Sequence, residues 1–264
     1  MIDELAIKKA YAFLDLERQI VGVKLIYDKF EYDSILVNEP KSPISYCQAV
    51  RAATAGNGLK FTKELSGCAG SSRALGFVPP NADYYTGESS YKMGLYADID
   101  IAKQVANQVC ICSRPLYGIV VSPLERFESE PDVVLMITNT REAMRIMQAY
   151  TCVYGVQQEF NITGNQAICM ECTTYPLIKN CINISMLCSG TRYKAQWKDG
   201  EVAIGFPYTL LKGIVSGLQT TINPIEQNHR KAEIEQSLQK DNISDVEIKY
   251  GRTYFLANDR TSKE

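Results

Sequence analysis

Apolar residues recur at helical spacing over residues 3–16, where Leu5, Ala6, Ala10, Phe13 and Leu14 share a side and Lys8, Lys9 and Asp15 lie elsewhere, so the stretch predicts an amphipathic helix. Residues 21–27 switch to a β-branched, alternating pattern and predict a strand. Residues 31–43 read as a loop ending at two prolines, Pro40 and Pro43. Ser45 is suited to cap a helix running to Ala55, which Gly56-Asn57-Gly58 stops; Cys47 then falls in its first turn, where the helix dipole favours a thiolate. A helical turn is expected over 71–75, broken by Val78-Pro79-Pro80, and a helix over 99–108. Residues 84–96 carry four of the sixteen tyrosines and read as a covering segment.

Strands are expected at 117–122, 132–138, 156–162 and 183–187, with 132–138 apolar throughout and hence central. A helix capped by Thr140 follows over 140–150, and Pro176 limits any helix in 166–178. Asp199-Gly200 predicts a hairpin between 193–197 and 201–206. Pro207 opens a helix to about residue 218. This mixture gives an α+β class, a mixed sheet flanked by helices. The expected organisation is one domain over 1–222 and a polar, partly helical tail over 223–264.

Charge narrows the functional classes. The 264 residues carry 28 basic and 30 acidic side chains, without the basic excess that nucleic-acid binding requires. Runs such as Val133-Val134-Leu135-Met136-Ile137 are too short to span a membrane, and the first residues lack a secretory pattern, so a cytoplasmic location is expected. Neither a glycine-rich dinucleotide fingerprint nor a P-loop occurs. The single histidine, His229, lies in a polar stretch and reads as a solvated helix residue; two-histidine metal sites and histidine-based nucleophilic triads are excluded.

Nine cysteines remain, an odd and high count that argues against a disulfide framework. Two stretches share one layout: Cys68-Ala-Gly70 followed by Arg73, and Cys188-Ser-Gly190 followed by Arg192. Cys47 precedes Cys68 by 21 positions and Cys169 precedes Cys188 by 19, which suggests a loosely duplicated half-site. Thiolates hold iron–sulfur clusters, and a glycine beside the ligand lets backbone amides approach the sulfurs. The expected metal ligands are therefore Cys47, Cys68, Cys169 and Cys188 on a [4Fe-4S] cluster, with Arg73, Arg192, Gly70 and Gly190 as substrate- or anion-binding residues. Cys169-x-x-Cys172 is a single Cys-x-x-Cys, and a structural zinc would want two. It leaves a thiol-redox enzyme as a rival, if it opens an exposed helix. Cys152 reads as a core residue.

The order Val21-Gly-Val-Lys24, Cys47-x2-Val50-x2-Ala53, Leu65-x2-Cys68-x-Gly70-x2-Arg73-Ala-Leu-Gly76, Ser122-Pro-Leu-x2-Phe127, Glu130-Pro-Asp-Val-Val134, Ala143-Met144, Gly164-x2-Ala167-x-Cys169, Asn183-x-Ser185-x2-Cys188-x-Gly190-x-Arg192 and Gly205-x-Pro207 resembles the cysteine-rich archaeal and bacterial family catalogued as domain of unknown function 169. The resemblance covers roughly residues 18–220 and implies a full-length, single-domain member. The positions matching the family's recurrent cysteines are the same four; Cys110, Cys112, Cys152, Cys172 and Cys181 do not match. It supplies no reaction. The expectation is an iron–sulfur protein acting in electron transfer or, with an open iron, as a lyase- or desulfidase-like enzyme. Its partner would be a small-molecule substrate or a redox protein, and a homo-oligomer stays open. The alternative outside metal chemistry is a metal-free module that binds a small anion.

Overall fold

Strand β4 (Val133–Asn139) is buried from Val133 to Thr138, which requires cover on both faces. In the computed structural model, which describes residues 2–251, it lies inside a six-stranded sheet of order β2-β3-β1-β4-β6-β5 whose neighbours all pair antiparallel. In chain order the elements are α1 (Glu4–Phe13), β1 (Val21–Ile26), α2 (Lys29–Ser34), α3 (Tyr46–Thr54), β2 (Leu59–Thr62), α4 (Ala69–Ala74), α5 (Glu88–Lys92), α6 (Ile99–Gln108), β3 (Gly118–Pro123), β4 and α7 (Thr140–Tyr154). A π-helix (Ala167–Thr174), α8 (Tyr175–Lys179), β5 (Asn183–Ser185), α9 (Ser189–Ala195), β6 (Glu201–Pro207), α10 (Leu211–Ile225) and α11 (Asn228–Lys240) complete it. The α+β class expected from the sequence is thus the observed one.

Period-two alternation splits the strands between two cores. Val21, Val23, Leu25, Val133, Leu135 and Ile137 face a layer built from α3, α4 and the π-helix. Val134, Met136, Val202, Ile204 and Phe206 face α1, α7, α10 and α11. All nine cysteines are free thiols. Six of them belong to the first layer: Cys169, Cys172 and Cys181 lie in its core, and Cys47, Cys110 and Cys112 pack against it.

Four local readings change. Residues 31–43 are not all loop, because Asp28 caps α2 by accepting the Glu31 N–H at 2.9 Å. Residues 156–162 form no strand: the Asn183 side chain takes the place of a partner strand, accepting from Asn161 N–H at 3.1 Å and donating to the Asn161 carbonyl at 2.9 Å. Residues 193–197 are no hairpin arm, since 189–195 form α9, and β6 pairs with β4 and β5 instead. Asn139, rather than Thr140, caps α7 by accepting from Glu142 N–H. At the C-terminal side α10 continues through Ile225, and α11 adds Ile234 and Leu238 to the second core. Residues 252–264 of the expected tail lie outside the described residues.

The π-helix is pressed backbone-first onto β6. A Cβ added at Gly205 would lie 1.8 Å from the Cys172 carbonyl oxygen, so only glycine permits this approach. Gly205→Ala is expected to destabilise the protein by about 3 kcal/mol, because backbone cannot retreat as a side chain can. Chemical denaturation checks this, and an unchanged midpoint would contradict the close approach.

Candidate metal centre

Four separate elements bring the candidate cysteines together. Cys47 occupies the first turn of α3, whose start is fixed by a capping box between Ser45 and Gln48. Cys68 and Cys188 are the residues just before α4 and α9, and both have extended backbone. Cys169 lies in the π-helix, every residue of which is buried. The charge on Cys169 would be felt by Cys47, Cys68 and Cys188, and Cys47 likewise interacts with Cys188 and Cys68. The four thiols expected from spacing therefore share one neighbourhood.

The two Cys-x-Gly turns are built alike. A Cβ added at Gly70 would meet only Cys68 Sγ, at 4.0 Å, and one at Gly190 only Cys188 Sγ, also at 4.0 Å. Neither glycine has a positive φ. Neither backbone conformation nor packing within the chain requires glycine there.

The thiols differ electrostatically. Burial pushes Cys47 up to about 12, aided by Cys188 and Cys68 and opposed by a hydrogen bond from Thr191 and the charge of Lys194. Burial, then the other three thiols, raises Cys169 well above the ordinary value. Burial also raises Cys68, but hydrogen bonds from the Ser71 N–H and hydroxyl, the Lys194 charge and the Gly70 N–H outweigh it, leaving Cys68 below the ordinary value. Cys68 is thus the thiol prepared to carry charge without a metal.

Hydrogen bonds that sequence reasoning missed hold this arrangement. The only tryptophan, Trp197, donates its indole N–H to Thr191 Oγ1 at 3.1 Å, and Thr191 in turn bonds Cys47, tying α9 to α3. Thr173 donates to the Ile168 carbonyl at 2.7 Å, so at 2.9 Å the buried Tyr46 hydroxyl is the donor to Thr173, pinning α3 to the π-helix. Glu171, also buried, accepts from Thr163 N–H, the Thr163 hydroxyl and Gly164 N–H, and from the Ser185 hydroxyl. Ser185 Oγ accepts the Leu187 N–H at 3.1 Å. Leu187 has φ +65°, a costly conformation for a bulky residue, directly before Cys188. A glutamate between two cysteines and a serine before the third were the available signals, but nothing local joins them.

The candidate arginines diverge. Arg192 donates to the carbonyls of Lys198, Met186 and Glu201, each at 2.9 Å, and thereby fixes the turn after α9. Arg73 stacks 4.2 Å over the Tyr84 ring, and among the described residues its guanidinium has no hydrogen bond or ion pair. Tyr84 accepts from Gln166 Nε2 at 2.9 Å, so the tyrosine-rich segment does close over this end of the π-helix. Cys172 is sealed inside, its Sγ 3.5 Å from the Ala203 carbonyl, and both Cys169 and Cys172 lack the exposed helix start a thiol-redox pair would use. Cys152, expected in the core, is exposed, because the buried stripe of α7 runs through Ile146, Ala149 and Tyr150 and leaves it out of phase.

Among the described residues no three His, Cys, Asp or Glu side chains are gathered as ligands around a single metal ion. One zinc would draw its sulfurs to about 2.3 Å from one point. A [4Fe-4S] core instead takes each thiolate at a different iron, so its ligands stand farther apart. A shared neighbourhood, thiol donors and two glycine cradles suit the larger body.

Residues 11–217 match the model of the family DUF169, described as uncharacterised ArCR. That range contains all four cysteines. A relative from Methanocaldococcus jannaschii, uncharacterized protein MJ0308, is 27% identical over 217 residues, covering 80% of this chain and 91% of its own. No solved structure matches. Among the described residues no helix is long and apolar enough to cross a membrane.

In the reduced, metal-free chain near pH 8, iodoacetamide is expected to modify Cys68 at least about tenfold faster than Cys47 or Cys169, because only Cys68 lies below the ordinary thiol value. Peptide mass spectrometry over time reads this out; equal rates would contradict the electrostatic ordering.

Proposed function

The chain belongs to the DUF169 family, and we propose that it is an iron–sulfur protein whose [4Fe-4S] cluster is held by Cys47, Cys68, Cys169 and Cys188. The observation that carries this reading is the meeting of four thiols, distant in sequence, in one neighbourhood. When bound, such a cluster supplies single-electron transfer or, with an open coordination position, a Lewis acid.

The chain's own residues have definable tasks in this reading. The amides of Gly70 and Ser71 turn to the Cys68 sulfur, and Thr191 donates to Cys47. Lys194, whose charge reaches both Cys47 and Cys68, offsets part of the negative charge that four thiolates gather. The fully buried Tyr46 and the sealed π-helix exclude water behind Cys169. Cys68 lines an open cleft, which favours a small-molecule substrate approaching from that side over a purely electron-transferring centre.

Anaerobic purification followed by iron and acid-labile sulfide analysis tests the reading. About four of each per chain are expected, lost in Cys47→Ser and Cys169→Ser and kept in Cys110→Ser and Cys152→Ser. Loading should also quench Trp197, which is linked to Cys47 through Thr191. Gly70→Ala and Gly190→Ala are expected to fold like the parent chain yet hold iron roughly tenfold more weakly. A folded, anaerobic sample without iron and sulfide would overturn the proposal.

A further inference from the structure

The matched half-sites are unequal in one respect. At the Cys188 end the arginine is consumed by three backbone carbonyls. At the Cys68 end a cleft of about 520 Å³ opens, lined by Lys63, Ser66, Cys68, Ser72, Arg73 and Val78 among others. Its lining contains no carboxylate. Neither Arg73 nor Lys63 forms a salt bridge among the described residues; Glu64, the acid beside Lys63, feels its charge but accepts its hydrogen bond from the Thr62 hydroxyl at 2.6 Å and lies outside the lining. Stacking on Tyr84 leaves the planar edge of the Arg73 guanidinium free for a two-pronged contact, the geometry a carboxylate fits. Ser66 and Ser72 bond each other at 2.7 Å, while Val78, Pro79 and Ala69 supply an apolar wall.

We propose that this cleft binds a small organic acid, its carboxylate held by Arg73 and Lys63 and its apolar body lying against Val78 and Pro79 beside Cys68. As a substrate assignment this rests on the iron–sulfur reading, but the binding itself does not, since every group invoked belongs to the chain. At the Cys188 end the matching arginine, Arg192, is already engaged by backbone carbonyls.

The test uses iodoacetate, a small carboxylate, and iodoacetamide, its neutral counterpart, on the reduced, metal-free full chain. In both reactions the cysteine thiolate displaces iodide, so the ratio of the two rates at one cysteine cancels its thiolate fraction. Peptide mass spectrometry gives the ratio at each site, with exposed Cys152 as reference. At Cys68 the ratio is expected to exceed that at Cys152 by about tenfold, the scale of charge steering into a cleft. Arg73→Met should remove most of the excess over Cys152, leaving only what Lys63 supplies, Arg73→Lys should keep more of it, and the ratio at Cys188 should not move. Butyrate should slow the reaction of Cys68 with iodoacetamide in a saturable way, and butyramide should not. A Cys68 ratio equal to that of Cys152 in the parent chain, which needs no variant to fold, would overturn the proposal. Protection by inorganic phosphate without protection by butyrate would overturn the carboxylate assignment. Loss of iron with the anion preference intact would remove only the cluster reading, and iron without the preference only this one.

Discussion

A buried sulfur is inexpensive to the fold while it is neutral and costly once it is charged. Four thiols set side by side intensify that constraint, because each ionisation opposes the next. Cys169 shows it most fully, raised by burial and then by all three of its neighbours. A bound metal body would remove the conflict by supplying positive charge among them. Without one, burial keeps Cys47 and Cys169 neutral, while Cys68 can carry charge. The other features of the site follow from this: sealed walls behind Cys169, and amides and hydroxyls directed at Cys68 and Cys47.

The sheet is what makes so dense a grouping rigid. Its inner face receives α3 and the π-helix, and at Gly205 a backbone meets a backbone with no side chain between. Tyr46, Thr173, Glu171 and Ser185 then relay that rigidity outward to the turns that carry Cys47 and Cys188. The strained backbone at Leu187 is held in place by the same chain of contacts. The Cys68 turn has bracing of its own, the Ile44–Ser66 bridge and the Ser66–Ser72 hydrogen bond, and the open cleft lies on that side.

Much of this was legible in the sequence where the signal was local. Helical spacing located α1, α3, α6 and α7 within a few residues, and an uninterrupted apolar run placed β4 inside the sheet. The spacing of two Cys-x-Gly turns selected the four thiols that the fold brings together. What failed needed tertiary information. Residues 193–197 alternate like a strand, yet Trp197 reaches back to Thr191 and completes a helix corner instead. Residues 156–162 alternate too, but Asn183 satisfies their backbone from the side. Arg73 and Arg192 look equivalent in sequence; only the backbone carbonyls surrounding Arg192 separate a structural arginine from a free one.

Anomalous diffraction at the iron edge, on crystals grown without oxygen, tests the central claim most directly. The account predicts one compact iron peak enclosed by the sulfurs of Cys47, Cys68, Cys169 and Cys188. Iron bound instead at Cys110, Cys112 or Cys181, or an iron-loaded protein with no peak among the four sulfurs, would contradict it.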